Sequence, residues 1–144
     1  PLDMLLVDLP PGTGDVTLSL AQNCALDGVI LVTTPQAVAV LDADKCARAF
    51  AKLHVPLWGV IENMSGFVDA AGHRHAVFGT GGGQALAART HTRLLAEIPL
   101  DPAMGVCADT GKNFLSDASG TAAAQAYHAV AQTILAQCTP RHAA

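Results

Sequence analysis

An apolar run ending in a carboxylate opens the chain: Met4-Leu5-Leu6-Val7-Asp8, followed by Leu9-Pro10-Pro11-Gly12-Thr13-Gly14-Asp15. Ligands of open α/β sheets collect at the carboxyl ends of the strands. An aspartate placed there can hold Mg²⁺, usually through water, because Mg²⁺ gives up its hydration shell reluctantly. Pro10 and Pro11 restrict the loop, while Gly12 and Gly14 let backbone N–H groups approach a γ-phosphate. Such a loop suits a nucleotide-sensing switch. A plainer role fits the same residues, in which Asp8 caps a strand and the prolines stop it.

Three other groupings could carry chemistry. The run Gly79-Thr80-Gly81-Gly82-Gly83 is rich in glycine. It has no lysine and follows no core strand, and a phosphate cradle needs both; it reads as a flexible entry to a helix. Asp69, His73 and His75 offer oxygen and imidazole ligands within one short loop, although exposed histidines in Gly-rich loops are commonly just solvated. The four cysteines, Cys24, Cys46, Cys107 and Cys138, include no C-x-x-C pair. Cys24, Cys46 and Cys138 fall on apolar helix faces and read as structural; Cys107 is unassigned. No Ser/His/Asp triad or Cys/His pair stands out.

The elements that must position these groups follow from apolar patterning. Met4–Asp8, Val29–Thr33, Leu57–Ile61 and Leu94–Ile98 are short runs rich in Val, Ile and Leu without period-2 alternation. That is the pattern of parallel strands covered on both faces. Helical periodicity separates them. Asp15–Cys24 places Val16, Leu20, Ala21 and Cys24 on one face, Gln36–Leu53 carries an apolar stripe, a shorter helix spans about Gly83–Arg89, and Tyr127–Cys138 repeats at i, i+3, i+4. Strand–helix alternation predicts βαβ units with right-handed crossovers. Ser65–Gly83 breaks the rhythm and is expected to be an irregular surface excursion.

Composition bounds the rest. The 144 residues suffice for one domain with a core, and 51% apolar against 14% charged residues is a globular balance. The formal net charge of −4 and the lack of a dense Lys/Arg cluster argue against a nucleic-acid footprint. No apolar run approaches the roughly 20 residues of a membrane span, and no signal peptide is visible. A cytoplasmic protein without nucleic-acid or membrane partners is expected. Because Pro1 stands just before what reads as a core strand, a preceding segment is expected too.

The segment D-L-P-P-G-T-G-D, continued by T-L-S-L-A-Q, closely resembles the Mrp/ApbC family of iron–sulfur cluster carrier ATPases, relatives of MinD, ParA and nitrogenase iron protein. The resemblance continues through Leu31–Gln36, Gly59–Ser65 (G-V-I-E-N-M-S), Phe78–Gly83 and Glu97–Pro102, in the family's order, over about residues 2–115. It implies an α/β fold: part of a P-loop NTPase of the SIMIBI type, a three-layer α/β/α arrangement with a mainly parallel sheet. Residues 1–144 would be the C-terminal part of a single such domain, its P-loop and switch I lying upstream. The resemblance makes Asp8 the Walker B-type carboxylate that holds Mg²⁺ through water, and Pro10–Asp15, with Gly12 and Asp15, switch II. It sets Asn63 against the adenine edge, where an amide offers both donor and acceptor, and makes Pro99, Leu100 and Asp101 the loop that closes over the base. Asn63 can equally satisfy local backbone, and Asp101 before Pro102 also fits a helix N-cap. Thr34-Pro35-Gln36 follows a strand end near the same crevice and reads chiefly as a strand-to-helix turn.

Two departures qualify the resemblance. Without a P-loop in these residues, Asp8 has no anchored phosphate to serve, so the chain alone is expected neither to bind ATP well nor to hydrolyse it. Many family members carry a C-x-x-C soon after E-N-M-S, and Fe–S clusters are held mainly by cysteine sulfur. Here Asp69 falls about where the first cysteine would be and none follows nearby, which puts the family's bridging 4Fe–4S cluster in question. The resemblance implies ATP and Mg²⁺ as ligands of a full-length parent, a homodimer, and apo iron–sulfur proteins as recipients. A MinD/ParA-like positioning ATPase and a non-catalytic interaction module are the competing expectations.

Overall fold

The computed structural model describes residues 2–10 and 14–138. The candidate switch residue Gly12, with Pro11 and Thr13, lies outside the described residues.

Three parallel strands form the frame. β1 (Val29–Thr33) and β4 (Leu94–Leu100) pair in parallel on either side of β2 (Leu57–Val68). The two-residue β3 (Arg74–His75) pairs antiparallel with the end of β2. Between β1 and β2 runs α2 (Ala37–Lys52), and between β3 and β4 runs α3 (Gly82–Arg89). After β4 come α4 (Pro102–Thr110), α5 (Phe114–Asp117) and α6 (Ala122–Gln137), while α1 (Asp15–Asn23) precedes β1.

The strand residues alternate between two cores, one on each face of the sheet, as strand geometry requires. Leu31 and Val60 point to one side, where Val40 and Ala47 of α2 and Leu86 and Ala87 of α3 meet them. Ile61 and Ile98 point to the other, against Ala123, Val130 and Ile134 of α6. The result is the expected three-layer α/β/α sandwich around a mainly parallel sheet. Among the described residues no helix is long and apolar enough to cross a membrane.

Several expectations are corrected. Met4–Asp8 is not a strand. Leu5 and Leu6 are more than two-thirds exposed, and only Met4 packs against a core, the one beneath α6. An apolar run has the capacity for burial, but a strand exists only where a ladder partner receives it, and this segment has none among the described residues. The face expected for α1 holds only in part: Leu20 and Ala21 are partly buried and Thr17 is buried, but Val16 and Cys24 are exposed. Cys24 is therefore not a core cysteine, whereas Cys107 on α4 is buried. Cys46 and Cys138 do pack against the two cores. Lastly, Ser65–Gly83 is not irregular at its start, because β2 runs on to Val68 and turns into a hairpin with β3.

The core beneath α2 and α3 is closed tightly around Leu86, which has no exposed surface. Leu86→Ala should cost about 2–5 kcal/mol, the usual range for a leucine truncated in a packed core. Urea unfolding followed by circular dichroism should show the lower midpoint with an unchanged slope.

Candidate functional site

The parallel pairing of β2 with the carboxyl end of β4 brings together the residues of the E-N-M-S segment and the I-P-L-D segment. Asn63 is the register partner of Ile98, and Phe67 that of Leu100. Pro99 and Leu100 close β4, both half-buried. Asp101 follows directly as the N-cap of α4, its Oδ1 accepting the Ala103 N–H at 2.9 Å, with Pro102 at the first helical position. The sequence-predicted set Asn63, Pro99, Leu100 and Asp101 is thus one neighbourhood. Asp8 and Asp15 are exposed, Asp8 in the extended entry segment and Asp15 in the first turn of α1. There the helix dipole favours a carboxylate.

Between those two register points the β2–β4 ladder is interrupted: β2 spends four residues, Asn63 to Phe67, where β4 spends two. The surplus falls across Met64–Gly66, where Gly66 has φ 141° and Met64 φ 56°, the latter in the left-handed region that side-chain-bearing residues seldom adopt. Bulges of this kind re-aim neighbouring side chains, and strain of this kind survives only where its surroundings enforce it.

Three bonds enforce it here. Asn63 Oδ1 accepts the Met64 N–H at 2.9 Å, so the local backbone role open to Asn63 is realised. Arg74, reaching over from β3, donates from Nη2 to the Ser65 carbonyl at 2.9 Å. The same guanidinium lies 3.7 Å from Glu97 of β4, an exposed pair of small energetic weight. On the opposite face Glu62, only 1% exposed, accepts the backbone N–H of Gly83 at the start of α3.

Sequence reasoning missed Glu62. Its signal was a carboxylate continuing an apolar strand without a break, followed twenty-one residues later by the glycine pair that opens a helix. The structure also explains that pair. A Cβ on Gly82 would lie 2.5 Å from the Pro35 carbonyl oxygen, and one on Gly83 would lie 2.7 Å from Glu62 Cβ. The helix start packs directly on the strand end and on the β1–α2 turn, where Pro35 is buried. The glycine-rich run is the expected helix entry, and the acceptor at the start of that helix is the protein's own Glu62 carboxyl group.

The hairpin beyond the bulge carries the Asp69, His73 and His75 grouping. Asp69 Oδ1 accepts the N–H groups of Ala71 and His73, each at 2.9 Å, which closes the turn. Its Oδ2 lies 2.8 Å from His75 Nε2 and 3.5 Å from His73 Nδ1. The His75 ring stacks on Phe67 at 6.3 Å. The carboxylate is thus spent on organising the turn. Among the described residues no trio of His, Cys, Asp or Glu is arranged to hold a metal ion.

The His75 ring, first of all, then the His73 N–H, with the Ala71 N–H and the His73 ring, hold the Asp69 carboxyl below its usual range against an opposing cost of desolvation. A depressed value means that the carboxylate favours the closed turn above the ordinary aspartate value of about 3.9. That contribution fades as pH falls through the lowered value. In an NMR titration the Ala71 and His73 amide resonances should therefore move together with a midpoint below about 3.9. A midpoint at or above that value would contradict the assignment, and in Asp69→Ala the coupled step should vanish.

With this geometry in view, comparison with known proteins is informative. A family model described as NUBPL iron-transfer P-loop NTPase, of the ParA type, matches residues 1–135. The iron-sulfur cluster carrier protein of Deinococcus radiodurans is 46% identical over 141 residues, covering 97% of this chain and 40% of that protein. The mouse iron-sulfur cluster transfer protein NUBPL is 38% identical over 135 residues, 93% of this chain and 42% of the relative. Among solved structures, the nucleotide-binding protein of Archaeoglobus fulgidus in complex with ADP superposes with a TM-score of 0.67 at 34% identity, over 77% of this chain and 46% of that one. The cell division ATPase MinD of Pyrococcus furiosus, at 22% identity and a TM-score of 0.59, shares the fold. The chain spans less than half the length of each of these proteins.

Proposed function

This chain belongs to the ParA-type NUBPL iron-transfer P-loop NTPases, and from that premise we propose that it is the base-recognising and switch-bearing part of an ATP-dependent iron–sulfur cluster carrier. The observation that carries the reading is the convergence of Asn63, one residue beyond the level at which β1 ends, with Pro99, Leu100 and Asp101 at the carboxyl end of the adjacent parallel strand β4. Ligands of such sheets settle there.

In this reading Asn63, its Oδ1 already engaged by the Met64 N–H, offers its amide N–H group to an acceptor on the adenine edge. Pro99 and Leu100 supply apolar cover for the base. Asp101 holds the start of α4 through its cap, so that the closing loop has a fixed exit. Asp8, with Gly12 and Asp15, serves the phosphate end, where Mg²⁺ would neutralise phosphate charge and Asp8 would reach it through water. The exposure of Asp8 suits an aqueous contact. The phosphate grip itself must come from a lysine-bearing glycine loop outside these residues, so residues 1–144 alone are catalytically inactive.

The cargo is the iron–sulfur cluster, delivered to apo proteins by a cytoplasmic homodimer. Thiolates for that cargo do not come from the β2–β3 hairpin, whose side chains there are Asp69, His73 and His75. Cluster contact must be made elsewhere in the assembly or with other ligands.

Calorimetry tests the nucleotide part. The isolated 144-residue chain should show no micromolar ATP binding, and micromolar binding would sink the claim that the phosphate grip lies outside it. In the protein expressed from the complete reading frame, Asn63→Ala should weaken ATP binding roughly tenfold, the loss of about 1.4 kcal/mol expected for one base-edge hydrogen bond. Unchanged affinity would remove Asn63 from the base site.

A further inference from the structure

We propose that Glu62 is a positioning residue for the base-contacting asparagine: its buried carboxyl group, bonded to the Gly83 N–H, pins the middle of β2 so that Asn63 is presented in one place. This rests on the base-binding reading of Asn63 given above.

The case begins with cost. Taking a carboxyl group out of water is unfavourable unless strong partners replace the lost hydration. Glu62 is 1% exposed, sits on the central strand, and spends its Oε2 on one backbone amide at 2.5 Å. That amide opens an eight-residue helix, where unsatisfied N–H groups and the helix dipole favour a carboxylate. Helix α3 has no side-chain cap of its own: Gly81 stands at the N-cap with φ 75°. Glu62 does from across the sheet what a serine or aspartate cap would do locally.

The bond joins elements far apart in sequence. On its strand Glu62 pairs in register with Thr33 of β1 and Glu97 of β4, so the anchored point lies mid-sheet. The glycine pair allows α3 to approach until backbone meets strand. Immediately after the anchored residue come Asn63 and the left-handed Met64. Because successive strand side chains point to opposite faces, fixing Glu62 toward α3 fixes Asn63 toward the other face. The bulge then cannot relax by sliding β2 one residue, which would exchange the two side chains.

The test uses the protein expressed from the complete reading frame, with Mg-ATP as the probe. Calorimetry gives affinity, and hydrogen–deuterium exchange of the segment 79–89 reports on α3. In Glu62→Gln the amide carbonyl can still accept the Gly83 N–H, so ATP affinity and α3 protection should stay within about threefold of the parent. In Glu62→Ala both should fall, affinity by about tenfold. The decisive readout is the cycle with Asn63→Ala. If Glu62 acts through Asn63, the double variant should bind ATP no more weakly than the worse single variant, because coupled residues are not additive.

Additive losses, or a Glu62→Gln variant as weak as Glu62→Ala, overturn the proposal while leaving the base site standing. A loss absent from Asn63→Ala instead removes the base-binding reading, and the positioning role falls with it. Should Glu62→Ala fail to fold, Gly83→Ala takes its place in the cycle. It keeps the carboxyl group but forces a Cβ to within 2.7 Å of Glu62 Cβ.

Discussion

The hydrogen bond from the Gly83 amide to the buried carboxyl group of Glu62 is the joint on which this architecture turns. It ties the middle strand of the sheet to the start of α3, level with the carboxyl end of β1, and ligands of this fold class gather at such strand ends. Removing one partner of such a buried pair leaves the other unsatisfied, which costs more than the bond itself contributes. The glycines at 82 and 83 follow from the same joint, since a helix can bring its first amides onto a strand side chain only where no Cβ intervenes. The packing of Leu86 and Ala87 beneath α2 depends on where that helix start is held.

From this anchored point the strained segment runs outward. Met64 occupies a backbone region that is unfavourable for it, and the bonds made by Glu62, Asn63 and Arg74 surround it on three sides. Strain so enclosed accords with a residue held ready for a ligand. Phe67 then joins two parts of the sheet: it pairs with Leu100 at the end of β4 on one side and with His75 of the hairpin on the other. The hairpin and the loop after β4 thus share a single strand residue.

The family relationship and the missing thiolates meet in this hairpin. Iron–sulfur carriers are the relatives of this chain, yet the turn here is closed by an aspartate bonded to two amides and flanked by two imidazoles. A carboxylate with one oxygen closing the turn and the other facing two imidazoles is poorly placed to act as a cluster ligand as well. The hairpin of this protein is built as a structural arm, and its chemistry differs from that of a thiolate pair.

Much was legible in the sequence because it is local. The run Val29–Thr33 is a strand as its β-branched residues require, the periodic stretches that became α2 and α3 emerge within a residue of their expected ends, and α6 ends as expected but begins five residues earlier, at Ala122. Asp101 before Pro102 is a cap because the two residue types encode one. Motif order likewise sufficed for the family and the α/β class. What tertiary structure alone decided concerns partners distant along the chain. Met4–Asp8 has the composition of a strand but pairs with none among the described residues, and α1 turns Thr17 rather than Val16 inward. Glu62 reads in sequence as a charge at a strand end, and becomes a buried anchor only because a glycine-opened helix twenty-one residues on lays its first amide upon it. Composition and spacing determine which elements can form, whereas the burial of a carboxyl group is set by which backbone arrives to replace its water.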